Sequence, residues 1–197
     1  MTSPQASRAE VVGLEPAPTG LCLVQALLNS QLAGLPDLLD EAPAAQLWLE
    51  GSLATWSQRT GDPPPNLTLR RSDLPLLRDL RQQVRSWLQG QRSGGDAAPT
   101  TGELVLNMRL WIVDGRVVYR PVVGGLEGVT SMVSTEVLLA AQTGMLPRLK
   151  TCGNPDCGAA FFDQSRNSSR VWHDVKTCGN AANLRAHRAR LRNGRDE

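Results

Sequence analysis

The chain has 197 residues, of which 41% are hydrophobic and 20% are charged, and its formal net charge is +2. This composition excludes a mostly disordered chain, and the length accommodates one main core with a small additional module. The sequence has no apolar run of membrane-spanning length and no signal-peptide pattern, so we expect a cytoplasmic protein that makes no membrane contact.

Three helices are predicted in the first half of the chain. Residues 1–19 are polar and contain several prolines, which indicates a flexible arm. Apolar residues then recur at helical spacing over 21–33 and again over 44–56. A third helix is predicted to begin near Asp73, where a capping side chain precedes Pro75, and to continue along an amphipathic stretch.

The hydrophobic period changes from helical to two over residues 104–123. The Asp-Gly pair at 114–115 divides this stretch and favours a tight hairpin turn, because both central turn positions need positive φ. One more amphipathic helix is predicted over 126–143. Residues 20–148 are therefore predicted to form a mainly α-helical domain with one β-hairpin, and the fold class of the chain is α+β.

The predicted helical domain contains no recognisable catalytic group. It has no glycine-rich phosphate loop, no paired carboxylate motif and no Ser/His/Asp order, and both histidines lie beyond it. We expect its tryptophans to be core residues: Trp48, Trp56, Trp87 and Trp111. We therefore expect that the protein is not an enzyme.

Three of the four cysteines lie together with a histidine in the remaining residues, 149–197. Cys152 and Cys157 form one pair, His173 and Cys178 form a second pair, and fifteen residues lie between the two pairs. Two pairs of thiolate and imidazole ligands are typical of a closed structural zinc site, so we predict one structural Zn²⁺. His187 is the alternative fourth ligand. Four protein ligands leave no position for a reactive water.

Basic residues are concentrated in the same module. Residues 148–197 carry ten Lys or Arg against five Asp or Glu. A helix is predicted over 181–193 with Asn180 as its cap, and its arginines recur on one side. The predicted nucleic-acid contacts are Arg166, Asn167, Arg170, Arg185, Arg188, Arg192 and Arg195. Such a stripe beside a polar loop favours phosphate binding, and a solvated basic tail is the alternative.

The stretch CGNPDCGAAFFDQSRNSSRVWHDVKTCGN resembles the CGNR zinc finger, which is found at the C-terminus of bacterial proteins that carry an N-terminal ABATE domain. The resemblance lies in the cysteine spacing, the run from Asp163 to Asn167, Trp172 and the Cys-Gly-Asn at 178–180. It extends weakly to residues 21–23. It implies a transcription regulator whose finger binds double-stranded DNA and whose N-terminal domain senses a stress signal or a ligand.

Two positions depart from this family pattern. His173 replaces the usual third cysteine, which zinc accepts readily and which favours His173 over His187 as the ligand. Ala181 replaces the arginine that follows Cys-Gly-Asn, so the role of that arginine passes to Arg185 or is lost.

The alternative function is a protein-interaction or ligand-sensing module whose finger docks a partner protein. The sequence leaves open a small-molecule ligand and a homodimer.

Overall fold

The computed structural model describes residues 13–90 and 103–193, without the side chains of 186, 187 and 189–193. Its helices are α1 (Leu21–Asn29), α2 (Ala42–Thr60), α3 (Leu74–Gly90), α4 (Gly125–Gln142) and α5 (Asn180–Asn193). Its strands are β1 (Met108–Val113), β2 (Arg116–Pro121), β3 (Leu149–Thr151) and β4 (Ala160–Phe162). The α+β, mainly helical prediction is confirmed. No helix in the described ranges is long and apolar enough to cross a membrane.

Helix α1 lies at the centre of the molecule. Every residue of α1 except Ala26 is buried, and the helix packs against α2, α3, α4 and β4. Its leucines and Val24 join residues of the surrounding helices in one continuous apolar core. Because α1 contacts both the other helices and β4, it connects the helical core to the C-terminal strands.

The ends of α2 and α3 follow from local signals. Gly61 ends α2 in the left-handed conformation with φ 78°, and its N–H donates to the Ser57 carbonyl at 2.9 Å. A short 3₁₀ turn over Arg71–Asp73 precedes α3, and the Asp73 carboxylate accepts from the Arg70 N–H at 2.8 Å. The predicted start of the third helix is thus found within one or two residues.

The predicted hairpin is present but shorter and more exposed than expected. Asp114 and Gly115 form its turn with φ values of 50° and 76°, as the Asp-Gly pair predicts. The paired register ends at Met108 and Pro121, and one more backbone bond joins the Val122 N–H to the Asn107 carbonyl at 2.9 Å. Trp111 is 41% exposed, so the prediction that it belongs to the core is wrong. The physical reason is that only the end of the hairpin away from the turn packs on the core, through Met108 and Tyr119. The end near the turn, which includes Trp111, projects away from the core.

The last helix begins differently from the prediction. A π-helical turn over Val175–Gly179 precedes α5 and runs directly into it. Asp174 caps this turn, with its carboxylate accepting from the Lys176 N–H at 2.7 Å. Asn180 therefore lies within continuous helix and is not the cap, because the Asp174 carboxylate satisfies the free N–H groups one turn earlier.

Candidate metal centre

Four side chains meet at one end of the β3–β4 pair. The ligand atoms of Cys152, Cys157, His173 and Cys178 all lie within 4.8 Å of one another. Tetrahedral zinc with Zn–S bonds of about 2.3 Å places its sulfur ligands about 3.8 Å apart, so the cluster is compact enough for one ion. The donor set of three thiols and one imidazole fits one structural zinc. This confirms the predicted cofactor.

Local backbone bonds hold the two ligand pairs together. Cys152 ends the β3–β4 ladder, and its N–H donates to the Ala159 carbonyl at 2.7 Å. The Cys157 N–H closes a turn onto the Asn154 carbonyl at 3.0 Å, so the first pair lies on one tight loop. The Cys178 N–H donates to the Asp174 carbonyl at 3.0 Å, which places this cysteine in the π-helical turn. The three cysteine ligands are therefore each held by a backbone hydrogen bond.

The ligands differ in how readily they lose a proton. Burial lowers the pKa of His173, which favours the neutral imidazole that binds a metal. Burial raises the pKa of the Cys157 thiol to about 12. Burial acts against the Cys178 thiolate too, but hydrogen bonds, chiefly from Asn154 Nδ2 at 3.3 Å, outweigh it and lower the pKa of Cys178. Because a metal binds the thiolate form of cysteine, zinc binding releases the proton of the Cys157 thiol.

The apolar surroundings of the metal centre come from both ends of the chain. Cys152 and Cys178 share a buried cluster with Phe161, Leu14 and Leu32. The last two residues belong to the N-terminal part of the chain, so the finger does not depend on its own aromatic residues alone. Leu14 lies in the segment predicted as an N-terminal arm, where it is 7% exposed, and Leu32 follows α1, so segments outside the finger also cover the centre.

Polar bonds join the finger to the helices on the other side of β4. Asn29 accepts from the Ala160 N–H at 2.7 Å and donates to the Ala160 carbonyl at 2.9 Å, and Gln25 donates to the same carbonyl at 3.2 Å. Arg85 of α3 donates to the Gly158 carbonyl at 2.7 Å. None of these residues was predicted from the sequence as part of the site, although Gln25 and Asn29, two amides in an otherwise apolar helix, are a signal for it.

A buried carboxylate organises the loop between the ligand pairs. Asp163 is fully buried, lies 2.8 Å from Lys150 Nζ, and accepts from the N–H groups of Ser165 and Arg170. Burial acts against the charge, but the lysine and the N–H donors outweigh it and lower the pKa of Asp163. Arg148 also donates to the Asp163 and Ser165 carbonyls at 3.0 and 2.9 Å. The loop is therefore held from its inner side.

The predicted nucleic-acid contacts occupy different environments. Arg166, Asn167 and Arg188 are exposed. Arg170 donates to the His173 carbonyl, and its guanidinium lies 5.3 Å from the centre of the Phe161 ring. The Arg185 side chain instead points toward the metal centre, and it forms an ion pair with Asp156 at 2.7 Å. The side chains of Arg192, Arg195 and the alternative ligand His187 lie outside the described part of the structure.

The comparison with protein families identifies the same segment. Residues 148–191 match the model of the CGNR zinc finger. All four converging ligands lie within this match, so the finger is the zinc-binding part of the chain. A search of curated proteins returned no match. The likeness of residues 20–148 to an ABATE domain stays a prediction.

Proposed function

We propose that the protein is a DNA-binding regulator whose zinc finger presents arginines to the phosphate backbone. The observation that supports this most is the exposed turn at residues 165–168. Arg166 and Asn167 lie at its tip, and the Ser168 N–H closes it onto the Ser165 carbonyl at 3.2 Å. Two donor side chains are thus offered to solvent on a backbone that is already fixed.

The support beneath this turn is what makes it suitable for binding. Asp163, Lys150 and Arg148 hold the loop from the interior, so little backbone freedom is lost when a ligand binds. Exposed cations elsewhere on the finger, Lys176 and Arg188, extend the positive surface. Arginine and asparagine side chains at such a surface are typical phosphate donors.

We also propose that the zinc has no catalytic role and that the protein is not an enzyme. Three cysteines and one histidine complete a tetrahedral shell, and the metal then has no position for a water or a substrate. The finger would act by binding alone, with the metal maintaining the shape that the arginines need.

The test is fluorescence anisotropy of the zinc-loaded protein with a labelled DNA duplex over a range of salt concentrations. Each phosphate contact contributes about 0.9 to the slope of log affinity against log salt. Arg166→Ala and Arg188→Ala should each lower that slope by about 1. Arg71→Ala is the matched control, because Arg71 is an exposed arginine far from the finger in sequence. Absence of binding at low salt, or an equal effect of all three changes, would refute the proposal.

Docking of a partner protein is the second candidate function. Two apolar side chains on the finger favour it, since Val175 is 58% exposed and Leu184 is 49% exposed. The double change Val175→Ser with Leu184→Ser removes these groups without altering the charge. The proposed DNA binding should survive this double change, whereas a docking function would lose its contact surface.

A further inference from the structure

A chain of polar contacts runs from α5 to a metal ligand. Arg185 Nη1 donates to Asp156 Oδ2 at 2.7 Å, and Arg185 Nη2 donates to Asn154 Oδ1. Asn154 Nδ2 in turn donates to Cys178 Sγ at 3.3 Å. Both end nitrogens of one guanidinium are thus engaged by the loop that lies between Cys152 and Cys157.

We propose that Arg185 is a positioning residue of the metal centre, which orients the Asn154 amide and thereby its hydrogen bond to the Cys178 sulfur. Arg185 was predicted from the sequence to contact phosphate. Its two partners give it a different task, because charge-assisted bonds to Asp156 and Asn154 hold both end nitrogens of the guanidinium against the ligand loop.

The orientation of the amide is the central step. Asn154 is 7% exposed, so its oxygen and nitrogen need partners within the protein. Its Oδ1 accepts from Arg185 and, at 3.3 Å, from the Asp156 N–H. If the Asn154 amide were flipped, its NH₂ group would face two other donors, the Arg185 guanidinium and the Asp156 N–H. Its oxygen would then face the Cys178 sulfur, and the hydrogen bond to that sulfur would be lost. Arg185 therefore stabilises the one orientation in which Nδ2 donates to Cys178.

This orientation matters for the metal because the ligand set is rich in charge. Three thiolates on one Zn²⁺ leave a net charge of −1, and a donor on Cys178 offsets part of it. Partners that orient metal ligands in this way typically change metal affinity by about 10- to 100-fold when they are removed. The contact also fixes α5 against the ligand loop, so the helix direction and the metal site are set by the same side chain.

The test measures zinc release to a chromogenic chelator, without nucleic acid, so it is independent of the proposed function. Arg185→Ala and Asn154→Ala should each weaken zinc binding by about tenfold. Arg188→Ala is the matched control, since it removes the same charge from an exposed position one turn further along α5. We expect it to change zinc binding by less than about twofold. Equal effects of Arg185→Ala and Arg188→Ala would overturn the proposal.

A double-mutant cycle separates positioning from a general loss of stability. Because Arg185 acts through Asn154, adding Arg185→Ala to Asn154→Ala should weaken zinc binding little further. Fully additive effects would contradict this mechanism. In the cobalt-substituted protein, both single changes should shift the sulfur-to-cobalt absorption in the same direction, and an unchanged band would also count against it.

A milder variant covers the case in which Arg185→Ala fails to fold. Asp156→Asn leaves the arginine in place and weakens its anchor, at a side chain that is 72% exposed. Zinc loss from this variant should be faster than from Arg188→Ala. A rate equal to that of the control would overturn the proposal.

Discussion

Replacing Asn29 with alanine tests whether the finger and the helical core form one cooperative unit. Asn29 is 3% exposed and makes two hydrogen bonds to the backbone of Ala160, which lies three residues after the ligand Cys157. The change removes both bonds without altering charge. The Ala160 carbonyl keeps its bond from Gln25, whereas the Ala160 N–H has no other partner among the described residues.

The expected loss follows from this difference between the two groups. A buried N–H left without an acceptor costs about 1–3 kcal/mol, and the second lost bond adds about 0.5–1.5 kcal/mol. We therefore expect the free energy of unfolding of the zinc-loaded protein to fall by about 1.5–4.5 kcal/mol. Because β4 continues from the Cys157 loop, part of this loss should appear as weaker zinc binding.

The assay is urea unfolding of the zinc-loaded protein, followed by fluorescence, together with zinc titration. Asn66→Ala is the control, because Asn66 is exposed and the same atoms are removed. A loss of less than about 0.5 kcal/mol, within the range of ordinary surface changes, would refute the reasoning. Normal zinc affinity in a clearly destabilised Asn29→Ala variant would show that the finger folds around its metal independently of α1.

Two further predictions concern buried carboxyl groups. Burial raises the pKa of Glu136, despite hydrogen bonds from Trp56 and Tyr119. The stability that Glu136 contributes is therefore complete below its pKa in the unfolded chain. It is lost as the pH rises through the pKa of Glu136 in the folded protein. The stability of Glu136→Gln relative to the unchanged protein should therefore increase with pH in urea unfolding, and a difference that stays constant with pH would contradict this. The pKa of Asp163 is lowered, so its stabilisation is present above the unfolded value of about 3.9 and is lost as pH falls toward its folded pKa. Asp163→Asn should be destabilising at neutral pH, and its difference from the unchanged protein should shrink in acid; a constant difference would contradict the assignment.

The hairpin turn and the helices could be predicted from the sequence because short-range residue preferences determine them. The Asp-Gly pair predicted the hairpin turn because a turn needs residues that accept positive φ, and the structure has Asp114 and Gly115 in that conformation. The helices were predicted from apolar spacing, with ends that differ by a few residues. Where local signals competed, the prediction failed: Asp174 begins the last helical segment and Asn180 does not.

The sequence by itself determined the metal and its three cysteine ligands, because zinc chemistry needs four suitable side chains at short spacing; for the fourth ligand it offered His173 and His187, with the family resemblance favouring His173. The structure brings His173 to Cys152, Cys157 and Cys178. Only the tertiary structure decided what surrounds this site. Asn29 and Ala160 are 131 residues apart in the chain, and no periodicity relates them. Helical spacing placed Arg185 on a basic stripe, but its partners Asp156 and Asn154 come from another segment. The spacing of residues along a helix shows which side chains share a face of that helix. Tertiary packing decides which residues of other segments that face contacts.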